Sequence, residues 1–340
     1  MARTGGWRRR GSKSRGFRYY DAKGREIVDA AALERIDALR IPPAWRDVWI
    51  SPRSGAKLQA TGRDKAGRLQ YLYSPAYRAA QEQAKYDKLV RFGERLPAIR
   101  SAMAADMDDD ALSRDRVCAI ALRLINLGWF RPGSERYAKS SRTYGITTLR
   151  KGHAKVRGNK VALQFRGKHK VWVKTQLVDP ELADAIRELL ALRGGSRLFR
   201  FRNGDDVLVS LTERHLNEYV KTHMGDEFTA KDFRTWGGTL LAAIGLAERG
   251  PVESEAQAKK VVAAVCRSVA ERLGNTPAVC RASYISPAVV DQYLDDRTID
   301  DFRPRHLRVV SARQTSLDPE EQALLSLLRS WRIREGRKAA

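Results

Sequence analysis

The sequence predicts an α+β protein: a small β-rich N-terminal domain, then a larger, mostly helical domain that carries one three-stranded β-meander. Three observations lead there. Between residues 17 and 74, short period-two runs alternate with Gly-, Ser- and Asp-containing turns. Beyond Ser74 the apolar residues fall three and four apart, the spacing of an amphipathic helix. Between about 146 and 174 the period returns to two, with turn signals at Gly158-Asn159 and Gly167-Lys168.

Taken in order, residues 1–16 hold Arg3, Arg8, Arg9, Arg10, Lys13 and Arg15 and no acid, and read as a flexible basic arm that adds phosphate contacts. Residues 17–84 form the β-rich domain. "FRYYDAKGREI" gives two short strands around an Asp21–Gly24 turn, and "AALERIDALRIP" a short helix stopped by Pro42-Pro43. "DVWISP", "AKLQATG" and "RLQYLYS" are further strands. The long run "PAYRAAQEQAKYDKLVRFGERLPAIRSAMAADM" begins a helix at a proline, and the domain boundary is placed at 84/85.

The helical domain, 85–340, continues with the strongly apolar "RDRVCAIALRLINLGWF", a buried helix. "ITTLR", "HAKVRGNKVALQF" and "HKVWVKT" supply the meander. Helices return at "DPELADAIRELLAL", "LTERHLNEYVKTHM", "TAKDFRTWGGTLLAAIGLA" and "SEAQAKKVVAAVCRSVAERLG". The last of these ends at Gly274, a residue suited to a helix C-terminus. "DPEEQALLSLLRSWRIREG" closes the chain.

Charge narrows the partner. Lys and Arg number 64 against 40 Asp and Glu, a net charge of +24 and a pI of about 10.3. An excess of that size points to a polyanion, most often nucleic acid. No apolar run approaches the ~18 residues of a membrane span. Three cysteines, Cys118, Cys266 and Cys280, lack CxxC spacing, which fits a reducing cytosol with neither disulfides nor a zinc site. Arg8-Arg9-Arg10 precedes no apolar segment, so no secretory leader is expected.

Several attractive motifs fail on chemistry. Gly62-x4-Gly67 is followed by Arg68-Leu69, where a phosphate-binding loop needs Lys and Ser or Thr. The acidic runs around Asp106, Asp205 and Asp295 read as loop and helix-end solvation. The five histidines show no paired ligand spacing. Neither ATP nor a divalent metal is implied, and no cofactor is expected.

What remains is a scattered set: Arg131, Lys168, Arg234, Asn275 and Tyr284. A phenol with a pKa near 10 is a poor nucleophile, but two neighbouring guanidinium groups favour the phenolate. The same cations bind the non-bridging oxygens of a phosphodiester as charge builds there. An asparagine amide can donate a further contact, and a lysine on a hairpin can protonate the leaving 5′-oxygen. The energy of the broken bond is kept in a phosphotyrosine, so resealing needs no ATP.

The stretches "RPGSERYAKSSRTYGITTLRKGH", "FRGKHKV", "KDFRTWGGT" and "LGNTPAVCRASYI", with "DKAGRLQYLY" before them, resemble the type IB DNA topoisomerase family in its short bacterial and poxvirus-like branch. The resemblance covers almost the whole chain. It implies a monomeric, cytoplasmic enzyme that closes on double-stranded DNA and relaxes supercoils of either sign. It implies Tyr284 as nucleophile, Arg131, Lys168 and Arg234 as the basic catalytic residues, and Lys168 as the general acid. Asn275 stands where poxvirus members carry histidine. Gln70, Tyr71, Tyr73, Arg136, Tyr137 and Lys231 match positions that touch DNA. Tyrosine site-specific recombinases share the Arg-Lys-Arg-Tyr logic, but their N-terminal domain is helical and they place histidine at the position of Lys231. A non-enzymatic basic DNA-binding protein would account for the charge but not for the spacing of the five residues.

Overall fold

A computed structural model describes residues 5–303 and 316–339. Arg3 and His306 lie outside the described residues. The chain divides into two compact units, Met1–Tyr86 and Asp87–Ala340.

The first unit is a five-stranded antiparallel sheet with one helix. In chain order it holds β1 (Trp7–Ser12), β2 (Gly16–Tyr20), α1 (Ala30–Ala38), β3 (Arg46–Ile50), β4 (Leu58–Arg63) and β5 (Leu69–Tyr73). The strands lie in the order β2-β1-β3-β4-β5. One face is apolar: Ile36 of α1 meets Val48, Ile50 and Ala60, with Trp7, Tyr19 and Leu72 packed around them. Asp29 caps α1 by accepting from the Ala32 amide at 2.8 Å. Arg35 ties that helix to the sheet through Ser51 O (2.6 Å) and Gln59 Oε1 (2.8 Å).

The basic run expected to be a free arm is therefore a strand from Trp7 onward. It pairs with β2 and, at Trp7 and Arg8, with β3. Arg9 donates to Pro42 O (3.1 Å) and Trp45 O (2.8 Å), and its guanidinium lies 4.2 Å from the centre of the Phe17 ring. A strand made of arginines shows no alternation of hydropathy. Its signal lies in one tryptophan and in the pairing partner. The glycines at 62 and 67 belong to the β4–β5 hairpin, where Asp64 Oδ1 accepts from the Ala66 and Arg68 amides.

The division between units falls inside α2 (Pro75–Met107). In the second unit α3 (Arg114–Gly128) is buried from Arg116 to Leu122 and at Leu124 and Ile125, and ends at Trp129, whose φ of 51° is left-handed. Then come α4 (Glu135–Ser141) and the meander β6 (Ala154–Arg157), β7 (Lys160–Arg166) and β8 (Trp172–Val178), paired in that order. "ITTLR", expected as strand, opens with a single 3₁₀ turn at Ile146–Thr148, held by Thr148 against Gly145. The second meander turn is also wider than two residues. Its left-handed positions are His169 and Lys170, with Gly167 in extended backbone.

Next are α5 (Pro180–Ala191), the hairpin β9 (Arg200–Arg202) and β10 (Leu208–Ser210), α6 (Glu213–Met224), α7 (Asp232–Ala247), α8 (Glu255–Leu273), α9 (Pro277–Ser283), α10 (Pro287–Leu294) and α11 (Pro319–Ala339). The core of this unit fixes α7. Phe92, Phe228, Phe233 and Trp236 form an aromatic cluster with ring centroids 5.0–6.1 Å apart about Phe92. A buried ion pair, Arg100 to Glu321 at 2.7 Å, accepts the Trp236 indole N–H at 3.0 Å. That full pairing is what a buried charge needs to be tolerated. Asp106, one of the acidic residues, accepts from Tyr219 Oη at 2.5 Å, and burial followed by this bond pushes the phenol upward.

Candidate active site

Arg131 reaches the site because α3 stops short of it. The left-handed Trp129 turns the chain out of the helix, and the Arg131 carbonyl is fixed by the Ile146 amide at 3.0 Å. Gly145 permits this: a Cβ there would lie 2.6 Å from the Arg131 carbonyl oxygen. The guanidinium then donates from Nη2 to Gly274 O (2.9 Å) and Asn275 Oδ1 (2.5 Å). Burial pulls its pKa below the usual arginine value.

Arg234 sits in the first turn of α7, only 3% exposed. It donates from Nη1 to the Trp129 carbonyl and from Nη2 to Leu273 O at 2.8 Å. Its guanidinium lies 5.2 Å from the centre of the Tyr284 ring. Burial first, and the charge of Arg131 second, push its pKa down to about 10. Contact with Tyr284 opposes that shift. Arg234 Nε is buried without a partner.

The segment between them is a helix end, a cap and a short helix. Gly274, at φ 59°, closes α8, and the Asn275 amide returns to Ala270 O at 2.9 Å. The Asn275 side chain accepts from Arg131, which leaves Nδ2 buried without a partner. Thr276 caps α9 with Pro277 at its first position, and α9 ends at Tyr284. Tyr284 is 9% exposed. Its carbonyl accepts from Thr239 Oγ1 at 3.1 Å, and the same hydroxyl accepts from the Ser286 amide at 3.1 Å.

Four of the five residues, Arg131, Arg234, Asn275 and Tyr284, thus form one contact network. Lys168 is exposed on the β7–β8 connection. With Arg131, Arg234 and Gly274 it lines a cleft of about 260 Å³. A wider groove of about 1030 Å³ crosses the meander beside it, where Lys155, Arg166, Trp172 and Lys174 share one face by strand register.

Sequence reasoning missed Gly238 and Thr239. Both lie in the quoted "WGGT", but nothing local says what they touch. A Cβ on Gly238 would sit 2.7 Å from the Tyr284 carbonyl oxygen and 3.0 Å from its Cβ. Gly238→Ala is expected to displace Tyr284 and to lower any activity that depends on it by roughly 10- to 100-fold, as for a misplaced group, with the unfolding midpoint little changed. A thermal melt beside an activity assay checks this; equal loss in both would point to general unfolding instead.

These contacts can be set beside known proteins. The chain matches the family model of the eukaryotic DNA topoisomerase I catalytic core over residues 74–300. It matches the bacterial DNA topoisomerase IB N-terminal domain over residues 16–64. The DNA topoisomerase 1B of Acanthamoeba polyphaga mimivirus is 32% identical over 284 residues, 82% of this chain and 84% of the viral one.

The chain belongs to the type IB DNA topoisomerase family.

More distant relatives agree. The vaccinia virus (strain Copenhagen) DNA topoisomerase 1B is 23% identical over 281 residues, 80% of this chain and 85% of that one. The DNA topoisomerase 1 of Daucus carota is 27% identical over 158 residues, 46% of this chain and 19% of the plant protein. The topoisomerase is thus an isomerase acting on DNA, and among its described residues no helix is long and apolar enough to cross a membrane. Of the residues matched to DNA contacts, Arg136 and Tyr137 are exposed on α4, and Lys231 is exposed at the start of α7, three residues before Arg234. In the first unit Tyr71 and Tyr73 are exposed on the edge strand β5, their rings stacked with centroids 6.2 Å apart. Gln70 of the same strand donates to Asp64 Oδ2 at 2.9 Å.

Proposed function

We propose that this topoisomerase relaxes positive and negative supercoils through a 3′-phosphotyrosyl intermediate on Tyr284, without ATP or metal. Tyr284 gives its phenolic proton to solvent, its oxygen attacks a backbone phosphorus, the bond to the 5′-oxygen breaks, and Lys168 gives that oxygen a proton. The freed 5′ end swivels. Its hydroxyl then attacks the phosphotyrosine and returns its proton to Lys168, the tyrosine leaves as the phenolate and is reprotonated from solvent, and the strand is resealed. Arg131, Arg234 and Asn275 hold the non-bridging oxygens, where negative charge grows in the transition state.

The observation that carries this reading is the pairing of a buried guanidinium, Arg234, and a half-buried one, Arg131, around the Asn275–Tyr284 segment. Among the described residues Arg234 Nε and Asn275 Nδ2 are buried donors with no acceptor, and burial first, then the charge of Arg131, depresses the pKa of Arg234. A phosphate between them would satisfy the donors and relieve the repulsion. Half-buried Gln70 and exposed Tyr71, Tyr73, Arg136, Tyr137 and Lys231 contact the duplex. The enzyme works as a monomer in the cytoplasm, on the nucleoid in a bacterial host.

Relaxation of a plasmid in EDTA without ATP tests the whole reading, and a wild-type chain that leaves the plasmid supercoiled would sink it. For Asn275, alanine is expected to slow cleavage by on the order of 10²–10³, as for other lost transition-state donors, and histidine to be tolerated. Alanine with a wild-type cleavage rate would remove Asn275 from the site.

A further inference from the structure

We infer that the β1–β2 hairpin is a phosphate-binding site for duplex DNA, built on Arg10, Lys13, Arg15 and Arg18. The inference rests on the reading above that this sheet meets DNA through Tyr71.

The hairpin is only partly covered by the N-terminal family match, which begins at residue 16 and leaves β1 outside it. Between Gly5 and Tyr20 the chain holds Arg8, Arg9, Arg10, Lys13, Arg15 and Arg18 and no acid. The fold sorts these cations. Arg9 turns inward and is taken up by the carbonyls of Pro42 and Trp45 and by the Phe17 ring. Arg10, Lys13, Arg15 and Arg18 are exposed. Arg18 makes only a loose ion pair, 3.8 Å to Glu26, and Arg10 stacks on Tyr20 at 4.8 Å.

Strand register decides which way they face. Arg10 lies opposite Arg18, and Arg8 opposite Tyr20. Residues directly opposite share a face of a sheet. The same row runs Arg8–Trp49, Trp49–Thr61 and Thr61–Tyr71 across the remaining strands. The alternate row, Trp7–Ile50–Ala60–Leu72, is the one that packs against α1. Arg10, Arg18 and exposed Tyr71 therefore lie on one face, away from the core, and Lys13 and Arg15 stand exposed at the tip that joins the two strands. The tip is rigidly turned: Gly11 has φ 100°, and a Cβ there would lie 2.2 Å from Gly16 O. A narrow two-stranded ribbon of one charge, continuous with a DNA-contacting face, fits the backbone of a duplex groove. Its contacts are sequence-independent.

The test uses the full chain. Arg10→Gln, Lys13→Gln, Arg15→Gln and Arg18→Gln are combined, and affinity for a short duplex is measured against salt. Each lost phosphate contact removes about 0.9 from the slope of log K on log salt, so the slope should fall by about 3 to 4. A variant with lysine at positions 10, 15 and 18 should keep the wild-type slope. An unchanged slope in the glutamine variant overturns the proposal, as does a lysine variant that loses it. Should the fourfold variant melt below the wild type, Arg18→Gln alone decides, with a slope drop of about 1 expected and none overturning. Plasmid relaxation by the wild type is scored separately: its failure sinks the catalytic reading, whereas the slope still reports on the hairpin.

Discussion

A Tyr284→Phe chain is expected to relax no plasmid and to form no covalent adduct, while binding duplex DNA as tightly as the wild type. The substitution removes one oxygen and keeps the ring. The ring holds its place beneath the Arg234 guanidinium, and the backbone stays fastened to Thr239. What vanishes is the oxygen that takes the phosphorus in the proposed mechanism. Loss of a nucleophile costs at least about 10⁴-fold in other covalent enzymes, and here no water-activating group has been put in its place. Adduct formation on a denaturing gel reads the first half, and anisotropy of a labelled duplex the second. Relaxation by the phenylalanine chain at anything near the wild-type rate would move the nucleophile elsewhere.

The second large effect is at Lys168. Lys168→Ala should slow cleavage by about 10²–10⁴, the range of a lost general acid. Position alone does not distinguish proton donation from phosphate binding, because Lys168 lines the cleft beside Arg131 and Arg234. The leaving group does. A substrate with sulfur in place of the bridging 5′-oxygen departs as a thiolate, whose conjugate acid has a pKa of about 8.5 and needs no proton. That substrate should bring the alanine variant back to within about tenfold of the wild type. If alanine slows both substrates equally, Lys168 binds the phosphate and the proton comes from another group.

The broad architecture is written in periodicity. The strands at 46–50 and 69–73 alternate between one covered face and one open face, and α3 carries a nearly unbroken apolar run. Local pattern fails where tertiary contact decides the structure. β1 is held by Trp7, by pairing and by Arg9 reaching three carbonyls some 30 residues away. The 146–148 turn has the apolar, β-branched composition of a strand, but Thr148 closes it back on Gly145. The hairpin of β9 and β10 is three residues a side, too short for any period to show.

The candidate site divides in the same way. The polar residues could be picked out because their chemistry is specific and their motifs are distinctive. Their supports could not, because a glycine or threonine in a helix announces nothing. Only the fold shows that Gly238 makes room for Tyr284 and that Thr239 bonds its carbonyl.

The Thr239 hydroxyl has a mechanical meaning. In the proposed intermediate one DNA end is bolted to the Tyr284 side chain while the other turns, so drag from the rotating duplex arrives as a pull on that residue. The side chain passes the pull to its own backbone at the end of the seven-residue helix α9, an element too short to resist on its own. Thr239 bonds that backbone on both sides, at the Tyr284 carbonyl and the Ser286 amide, and is itself fully buried in α7. Tension is thereby shunted past α9 into the helix that carries Trp236 and its buried ion pair. The Tyr284 mooring is set in a helix buried without a break from Phe233 to Leu240, where torque can be borne without opening the site.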